Sequence, residues 1–276
     1  MEIRLHDDPA EFAALARPLY AADPVMHTVA LTVLALPHEY SALLTVHAHG
    51  AVLGAAFRDP PWPLVVSGLP EVAAGRAADA LVDADPGLDA VVGPRPRAEA
   101  FAAAWCAATG ATAHTVLDQR LFGLGELTEP TGVPGAARIA GEPDLTLAWR
   151  WRHEFVAEAG PHAPAPTEDV LRMRMRAGNA TVFWEVDGEP VAMAGVSAPT
   201  TGMSRVGPVY TPPERRGHGY GSAVTAAASR WALDAGARRV VLFTDLANPI
   251  SNAIYPRIGY RPVHDAVHLG FTGAGR

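Results

Sequence analysis

Cysteine is nearly absent: Cys106 is the only one in 276 residues, so no intramolecular disulfide can form. That fits a reducing compartment. A basic surplus is lacking too. Lys+Arg total 22 against 29 Asp+Glu, a formal charge of −7, which argues against a nucleic-acid binder. Residues 1–8, Met-Glu-Ile-Arg-Leu-His-Asp-Asp, carry no apolar signal-peptide core. The longest apolar run, residues 25–36, is interrupted by His27, Thr28 and Thr32 and is too short to cross a bilayer. His47 and His49 share a strand face, but no Cys, Asp or Glu joins them nearby, so they read as structural and no metal is expected. These absences lead us to expect a cytoplasmic protein with neither nucleic acid nor membrane as partner. With 49% hydrophobic and 18% charged residues, the chain has ample material for a core, in one large domain or two smaller ones.

What is present alternates helix and strand. In residues 1–125 the patterns predict a helix at 8–22, with Asp8 as N-cap, Pro9 at the first position and Glu11 completing a capping box. An apolar stretch at 28–36 is ambiguous. A hairpin follows at 43–49 and 51–57 around Gly50, then a strand at 64–67 and a helix at 70–82. A strand at 90–93, a helix at 96–108 and strands at 112–117 and 120–124 complete this half. Pro130, Gly132, Pro134 and Gly135 mark residues 126–135 as a linker.

Residues 136–276 repeat the order. A strand at 136–140 precedes a helix at 143–159, a break at 160–166 and a short basic helix at 168–176. Asp187-Gly188 joins a hairpin of 181–186 and 190–197. A strand at 204–210, an amphipathic helix at 220–235 and a strand at 239–244 come next. Asn248 and Pro249 open another helix, and residues from Tyr260 form a final strand or pair. The fold class is α/β with mixed sheets, and the repeated order points to duplication.

One stretch carries most of the chemistry: Pro208-Val209-Tyr210-Thr211-Pro212-Pro213-Glu214-Arg215-Arg216-Gly217-His218-Gly219-Tyr220-Gly221. It reads as a strand end, a proline-stiffened turn, a glycine-rich loop and a helix start. Glycines let backbone N–H groups approach a phosphate, and a helix N-terminus favours an anion. The stretch is a site for a ligand bearing pyrophosphate.

Arg216, Gly219 and Gly221 resemble the Arg/Gln-x-x-Gly-x-Gly/Ala signature of the GNAT superfamily of acyl-CoA N-acyltransferases. The segment Asn248-Pro249-Ile250-Ser251-Asn252-Ala253-Ile254-Tyr255-Pro256-Arg257-Ile258-Gly259-Tyr260 resembles the family's second hallmark. The two motifs cover residues 136–276. The resemblance implies two GNAT-like domains, each a mostly antiparallel twisted sheet flanked by helices. Residues 1–125 resemble a degenerate copy, because Gly68-Leu69-Pro70-Glu71-Val72-Ala73-Ala74-Gly75-Arg76 holds no glycine cradle.

The resemblance also implies roles. Acetyl-CoA would be the acyl donor and a primary amine the acceptor, in a direct attack within a ternary complex. The backbone of Val209, Tyr210 and Thr211 would hold the pantetheine arm and polarise the thioester. Arg216, Gly217, His218, Gly219, Tyr220, Gly221 and Ser222 would hold the pyrophosphate. Asn248 and Asn252 would touch the coenzyme arm, although Asn248 also fits a plain N-cap. Tyr255 would be the general acid, with Pro256 expected to kink or end its helix. No carboxylate stands at the family's base position. Glu154 and His153 on the preceding helix face the acceptor side, and Glu154 is taken as the base. His153, Trp151 and Phe155 would line the acceptor pocket. Two rival readings differ in class. One is a non-catalytic acyl-CoA sensor. The other is a dinucleotide-dependent oxidoreductase, disfavoured because Ser222 replaces its third glycine and residues 211–214 separate strand from glycines.

Overall fold

The computed structural model describes residues 1–36, 39–159 and 166–273. Two compact units are present: Met1–Arg120 together with His264–Arg276, and Leu121–Val263.

The first unit begins with β1 (Glu2–Leu5), α1 (Pro9–Ala22) and α2 (Thr28–Val33). β2 (Ala42–Ala48), β3 (Ala51–Arg58) and β4 (Leu64–Gly68) follow. Then come α3 (Ala74–Ala84), β5 (Ala90–Pro94), α4 (Arg95–Thr109) and β6 (Thr112–Leu124), whose last four residues belong to the second unit. Strands β1 to β4 pair antiparallel in sequence order, and β4 pairs parallel with β5. On the other side of β5 lies the C-terminal strand, β12 (Tyr260–Thr272), with Ala266 opposite Pro94 and Gly270 opposite Ala90. Alternating apolar residues of these strands close over α3 and α4 in one core that includes Leu44, Val66, Leu81, Phe101 and Trp105.

The second unit has the same element order. β7 (Ala136–Ile139), α5 (Leu145–Ala159) and α6 (Glu168–Arg176) precede β8 (Ala180–Val186), β9 (Glu189–Val196) and β10 (Met203–Tyr210). α7 (Tyr220–Asp234), β11 (Arg239–Asp245), α8 (Pro249–Arg257) and the start of β12 complete it. The pairing repeats as well: β7 to β10 antiparallel, β10 to β11 parallel. Its main core joins Val182, Val191, Val224, Leu242 and Tyr260.

Several expectations are corrected. β1 is a strand that local patterning does not reveal, since it is four residues long and mostly exposed. Residues 112–124 are one strand rather than two, because a half-exposed strand tolerates the polar Asp118-Gln119-Arg120 at its centre. Asp8 caps α1 through the Ala10 N–H, but Glu11 lies 3.5 Å from His6 rather than completing a capping box. The ambiguous stretch from residue 28 is helical up to Val33. The expected break at 160–166 falls, as far as residue 165, outside the described residues.

The linker stretch is fastened to the second unit. Thr128 N–H donates to Ile258 C=O, and Trp184 Nε1 donates to Pro134 C=O at 2.8 Å. Gly259 permits this approach: at its φ of 105°, a Cβ would stand 1.9 Å from the Glu126 carbonyl oxygen.

Candidate active site

β10 is flanked on both sides only along its first half. Met203 to Val206 pair with Arg239 to Leu242 of β11. Beyond Val206 the strand keeps β9 alone, with Val209 opposite Ala194 and Tyr210 opposite Met193 after a shift of register. The sequence explains where pairing stops. Pro208 has no N–H for a ladder, and Gly207 holds a φ of 143° that favours glycine. Among the described residues the backbone of Val209 and Tyr210 therefore has no β11 partner, and a wedge opens between the two strands.

The chain leaves this wedge through Thr211, Pro212 and a single 3-10 turn, Pro213–Arg215, into the glycine loop. Gly217 and Gly219 sit at φ 85° and 83°, which disfavour any side chain. Gly219 also approaches Val133 of the linker stretch, which a Cβ would meet at 3.0 Å. α7 begins at Tyr220 with no side-chain cap. Among the described residues, the N–H groups of residues 217–222 have no protein acceptor. A helix start with free N–H groups is an anion site. Gly221 adds a sharper observation. Its φ is unremarkable and a Cβ there would meet only Thr211 Oγ1, at 3.6 Å. Nothing among the described residues requires a glycine at this position, so it keeps the cradle clear for something from outside. The cradle thus fits a pyrophosphate.

Arg216 is tied down. Its Nε donates to Thr211 C=O at 2.9 Å, its Nη2 donates to Glu158 Oε2 at 2.5 Å, and its guanidinium lies 6.0 Å from the Tyr210 ring centre. It sets the shape of the loop. His218 packs its ring 5.4 Å from that of Tyr220, which is buried in the core; Ser222 is half-buried in the first turn of α7.

A cavity of about 540 Å³ lies beside the wedge, bounded by Trp151, Glu154, Glu158, Tyr210 and Glu214 among others. Three carboxylates make it acidic. The Tyr210 hydroxyl donates to Glu158 Oε1 at 3.2 Å. Burial, then a hydrogen bond to Glu154 and the charge of Glu158, hold this phenol above its usual range, so it stays protonated. Glu154 also lies 3.8 Å from Arg150. Trp151 forms the inner wall, packed edge-on against Phe183 and tilted against Tyr210. Two expected pocket residues do not border this cavity. His153 turns back along α5, its Nδ1 2.9 Å from Trp149 C=O and its ring 4.2 Å from that of Trp149. Phe155 packs against the small core of Trp151, Phe183 and Tyr210. Glu158, within the helix expected at 143–159 but not singled out there, is the carboxylate that joins cavity to loop. Its four-residue spacing from Glu154, one turn along the same face, is the signal that could have marked it.

α8 runs through Pro256 to Arg257, so the proline does not end the helix ahead of Tyr255. Pro256 cannot donate to the Asn252 carbonyl, but it lies in the last turn, where that loss ends little. Tyr255 is buried, with ring centres of Phe122 and Tyr260 each 6.1 Å away. Burial raises its phenol, and a hydrogen bond with Ser251 offsets part of that. Asn248 Oδ1 accepts from Ser251 N–H as the N-cap. Asn252 Nδ2 donates to the carbonyls of Asp245, Leu246 and Asn248. Each amide thus fixes the α8 approach and, among the described residues, keeps one polar atom uncommitted, Asn248 Nδ2 and Asn252 Oδ1.

Residues 146–260 match the model of the acetyltransferase (GNAT) family. This segment is a GNAT-family domain. The solved GCN5-related N-acetyltransferase from Kribbella flavida is 22% identical, with 94% of this chain and 96% of that chain covered and a TM-score of 0.64. A tandem GNAT protein from the clavulanic acid biosynthesis pathway is 15% identical over 100% and 99% of the two chains, TM-score 0.61. The GCN5-related N-acetyltransferase from Sphaerobacter thermophilus is 17% identical over 98% and 95%, TM-score 0.61. These likenesses give the GNAT fold over nearly the whole chain. A search of curated proteins finds no match. No helix among the described residues is long and apolar enough to cross a membrane. The GNAT family's donor is an acyl-CoA, and the free N–H groups of residues 217–222 in the GNAT domain suit its pyrophosphate. In the first unit, pairing of β4 with β5 also stops early, at Val65 and Val92. There, a Cβ on Gly68 would meet the Tyr20 ring at 2.6 Å, and His27 Nδ1 lies 3.1 Å from Ser67 Oγ. Side chains of that unit pack where the GNAT domain has its glycine loop.

Proposed function

We propose that this protein is an N-acetyltransferase that transfers the acetyl group of acetyl-CoA to a primary amine within a ternary complex. The observation that carries this reading is the row of acceptor-free N–H groups at residues 217–222, at the end of a strand that parts from its neighbour. The pyrophosphate lies on that row and the pantetheine arm runs along Val209, Tyr210 and Thr211, whose main chain supplies donors to the thioester oxygen. Glu154 takes a proton from the ammonium, directly or through water. It is favoured over Glu158, whose carboxylate is tied to Arg216 at 2.5 Å. The freed amine nitrogen attacks the carbonyl carbon. The N–C bond forms, the C–S bond breaks, and Tyr255 gives its phenolic proton to the departing sulfur. The second proton, shed by the new amide nitrogen, restores the Tyr255 phenol through solvent, and Glu154 releases its proton to bulk water. The burial that raises Tyr255 keeps that proton available at neutral pH. Trp151 walls the acceptor cavity, while His153 and Phe155 support α5 behind it. Residues 1–125 are a degenerate copy without a coenzyme loop.

The test is thiol release from acetyl-CoA with a panel of amines, alongside calorimetric titration of acetyl-CoA. Thiol release that depends on an amine supports the reading. Tight acetyl-CoA binding with no release for any amine would favour a sensor. No binding at all would remove the assignment.

A further inference from the structure

The second unit contains three arginines whose charges no carboxylate among the described residues answers. Arg152 on α5 is 92% buried, since only 8% of its surface is exposed. Its Nε has no hydrogen-bond partner, and its Nη2 reaches only Thr181 Oγ1, at 3.5 Å. Gly195 makes room for it: a Cβ there would stand 2.6 Å from Arg152 Nη2. Arg205 on β10 lies opposite Ser197, one position on from the Val206–Val196 pair: its C=O accepts from Ser197 N–H and its N–H donates to Ser197 Oγ, so it projects from the same sheet face as Gly195, two residues along. Arg174 on α6 is near enough to both for its positive charge to lower them. Burial, then Arg174, pushes Arg152 and Arg205 down to about 10, so both remain cationic at neutral pH.

Among the described residues, neither Arg174 nor Arg205 makes a side-chain hydrogen bond or ion pair, and Arg152 makes no ion pair. The remaining residues, 37–38, 160–165 and 274–276, include no Asp or Glu. The missing counter-charge therefore does not come from an acidic side chain of those segments. Uncompensated buried charge is costly, by several kcal/mol per ion in order of magnitude. The chain contains no lysine, so each of these charges is a guanidinium, the group suited to forked bonds with carboxylate or phosphate.

The cluster lies beside the candidate acceptor cavity. Gly195 is two residues along β9 from Met193, the partner of Tyr210, a distance of about 7 Å. An acidic cavity and a basic cluster that both draw on α5 and β10 match a small molecule carrying both signs of charge.

We propose that Arg152, Arg174 and Arg205 bind the anionic group, a carboxylate or a phosphate, of the amine that this protein acetylates. The assignment of that ligand as the acceptor rests on the acetyltransferase reading; the anion site stands on the arginines themselves.

Two arms separate these. In the first, sodium sulfate is titrated against sodium chloride at fixed ionic strength and the melting temperature is read. The wild-type protein should gain more from sulfate than Arg174→Gln or Arg205→Met does. These half-buried positions are chosen because Arg152→Met could unfold. An equal gain in all three proteins would overturn the site. The second arm measures acetyl transfer for matched amines: an amino acid against its amide, and an aminoalkyl phosphate against the amino alcohol. One anionic member should be preferred by about 10- to 100-fold in kcat/KM, and that ratio should collapse in Arg174→Gln. Turnover with no anionic preference in either pair would overturn the acceptor assignment. Which pair responds identifies carboxylate or phosphate. Calorimetric binding of acetyl-CoA, measured on the same proteins, separates a failure of the acetyltransferase reading from a failure of this one.

Discussion

Arg216 Nη2 meets Glu158 Oε2 at 2.5 Å, joining the glycine loop to a helix 58 positions earlier in the chain. The same carboxylate accepts from Tyr210 through its other oxygen. One side chain thus holds the loop, the end of the parted strand and the wall of the cavity. Both members of the ion pair are close to half exposed, so the pair adds little to stability. Glu158→Gln should shift the melting temperature slightly while raising the KM for acetyl-CoA about fivefold, the equivalent of about 1 kcal/mol of loop ordering. Steady-state kinetics beside a thermal melt checks this. A large loss of stability with unchanged KM would mean that the pair only fastens α5.

Gly221 and Gly219 should respond differently to substitution. Gly221→Glu meets only an ordinary contact with Thr211 Oγ1 at its Cβ and should melt near the wild-type temperature, yet lose calorimetric acetyl-CoA binding by at least about 100-fold through blockage and charge. Gly219→Ala should in addition destabilise by roughly 1–2 kcal/mol, because its φ is 83° and Val133 stands close. Undiminished acetyl-CoA binding by Gly221→Glu would sink the cradle.

Tyr255→Phe should lower kcat by about 100-fold while the Kd for acetyl-CoA changes little. The phenol is raised above 10, so wild-type activity should show no loss attributable to this group between pH 7 and 10. An unchanged kcat would leave Tyr255 as a packing residue between Phe122 and Tyr260.

His27 should make the fold acid-sensitive. Burial foremost, with help from the charges of Arg97 and His264 and against that of Asp23, pushes its imidazole down to about 4. The unfolded chain takes up this proton near pH 6.5, whereas the folded protein resists until about 4. Stability should therefore fall as pH drops through that window. His264, lowered mainly by burial, acts in the same direction. Urea midpoints at pH 7 and pH 5 should differ in the wild type and differ less in His27→Gln. Equal slopes for the two proteins would show that His27 does not carry the effect.

Much of the fold was legible because it is written locally. Asp187-Gly188 between alternating apolar residues specifies a hairpin, and it forms between β8 and β9. Gly217, Gly219 and Gly221 ahead of an amphipathic stripe specify a loop that enters a helix, and α7 follows. Less legible were elements whose stability comes from distant partners. β1 exists because β2 pairs with it, with Ile3 opposite Val46. β12 lies against β5 through residues 266–270, a register that no local pattern encodes. Pro256 looked disruptive in isolation, yet the last turn of α8 accommodates it.

The sequence by itself determined the element order, its repetition in two halves, and the glycine loop that suits a pyrophosphate, since backbone freedom and apolar period are properties of neighbouring residues. Only the tertiary structure decided which side chains share a site. It joined Glu158 to Arg216 and Tyr210, turned His153 away from the cavity, and gathered Arg152, Arg174 and Arg205 from two helices and a strand. Such meetings depend on how helices lie on the sheet, and charge at long range carries no sequence period by which it could be read in advance.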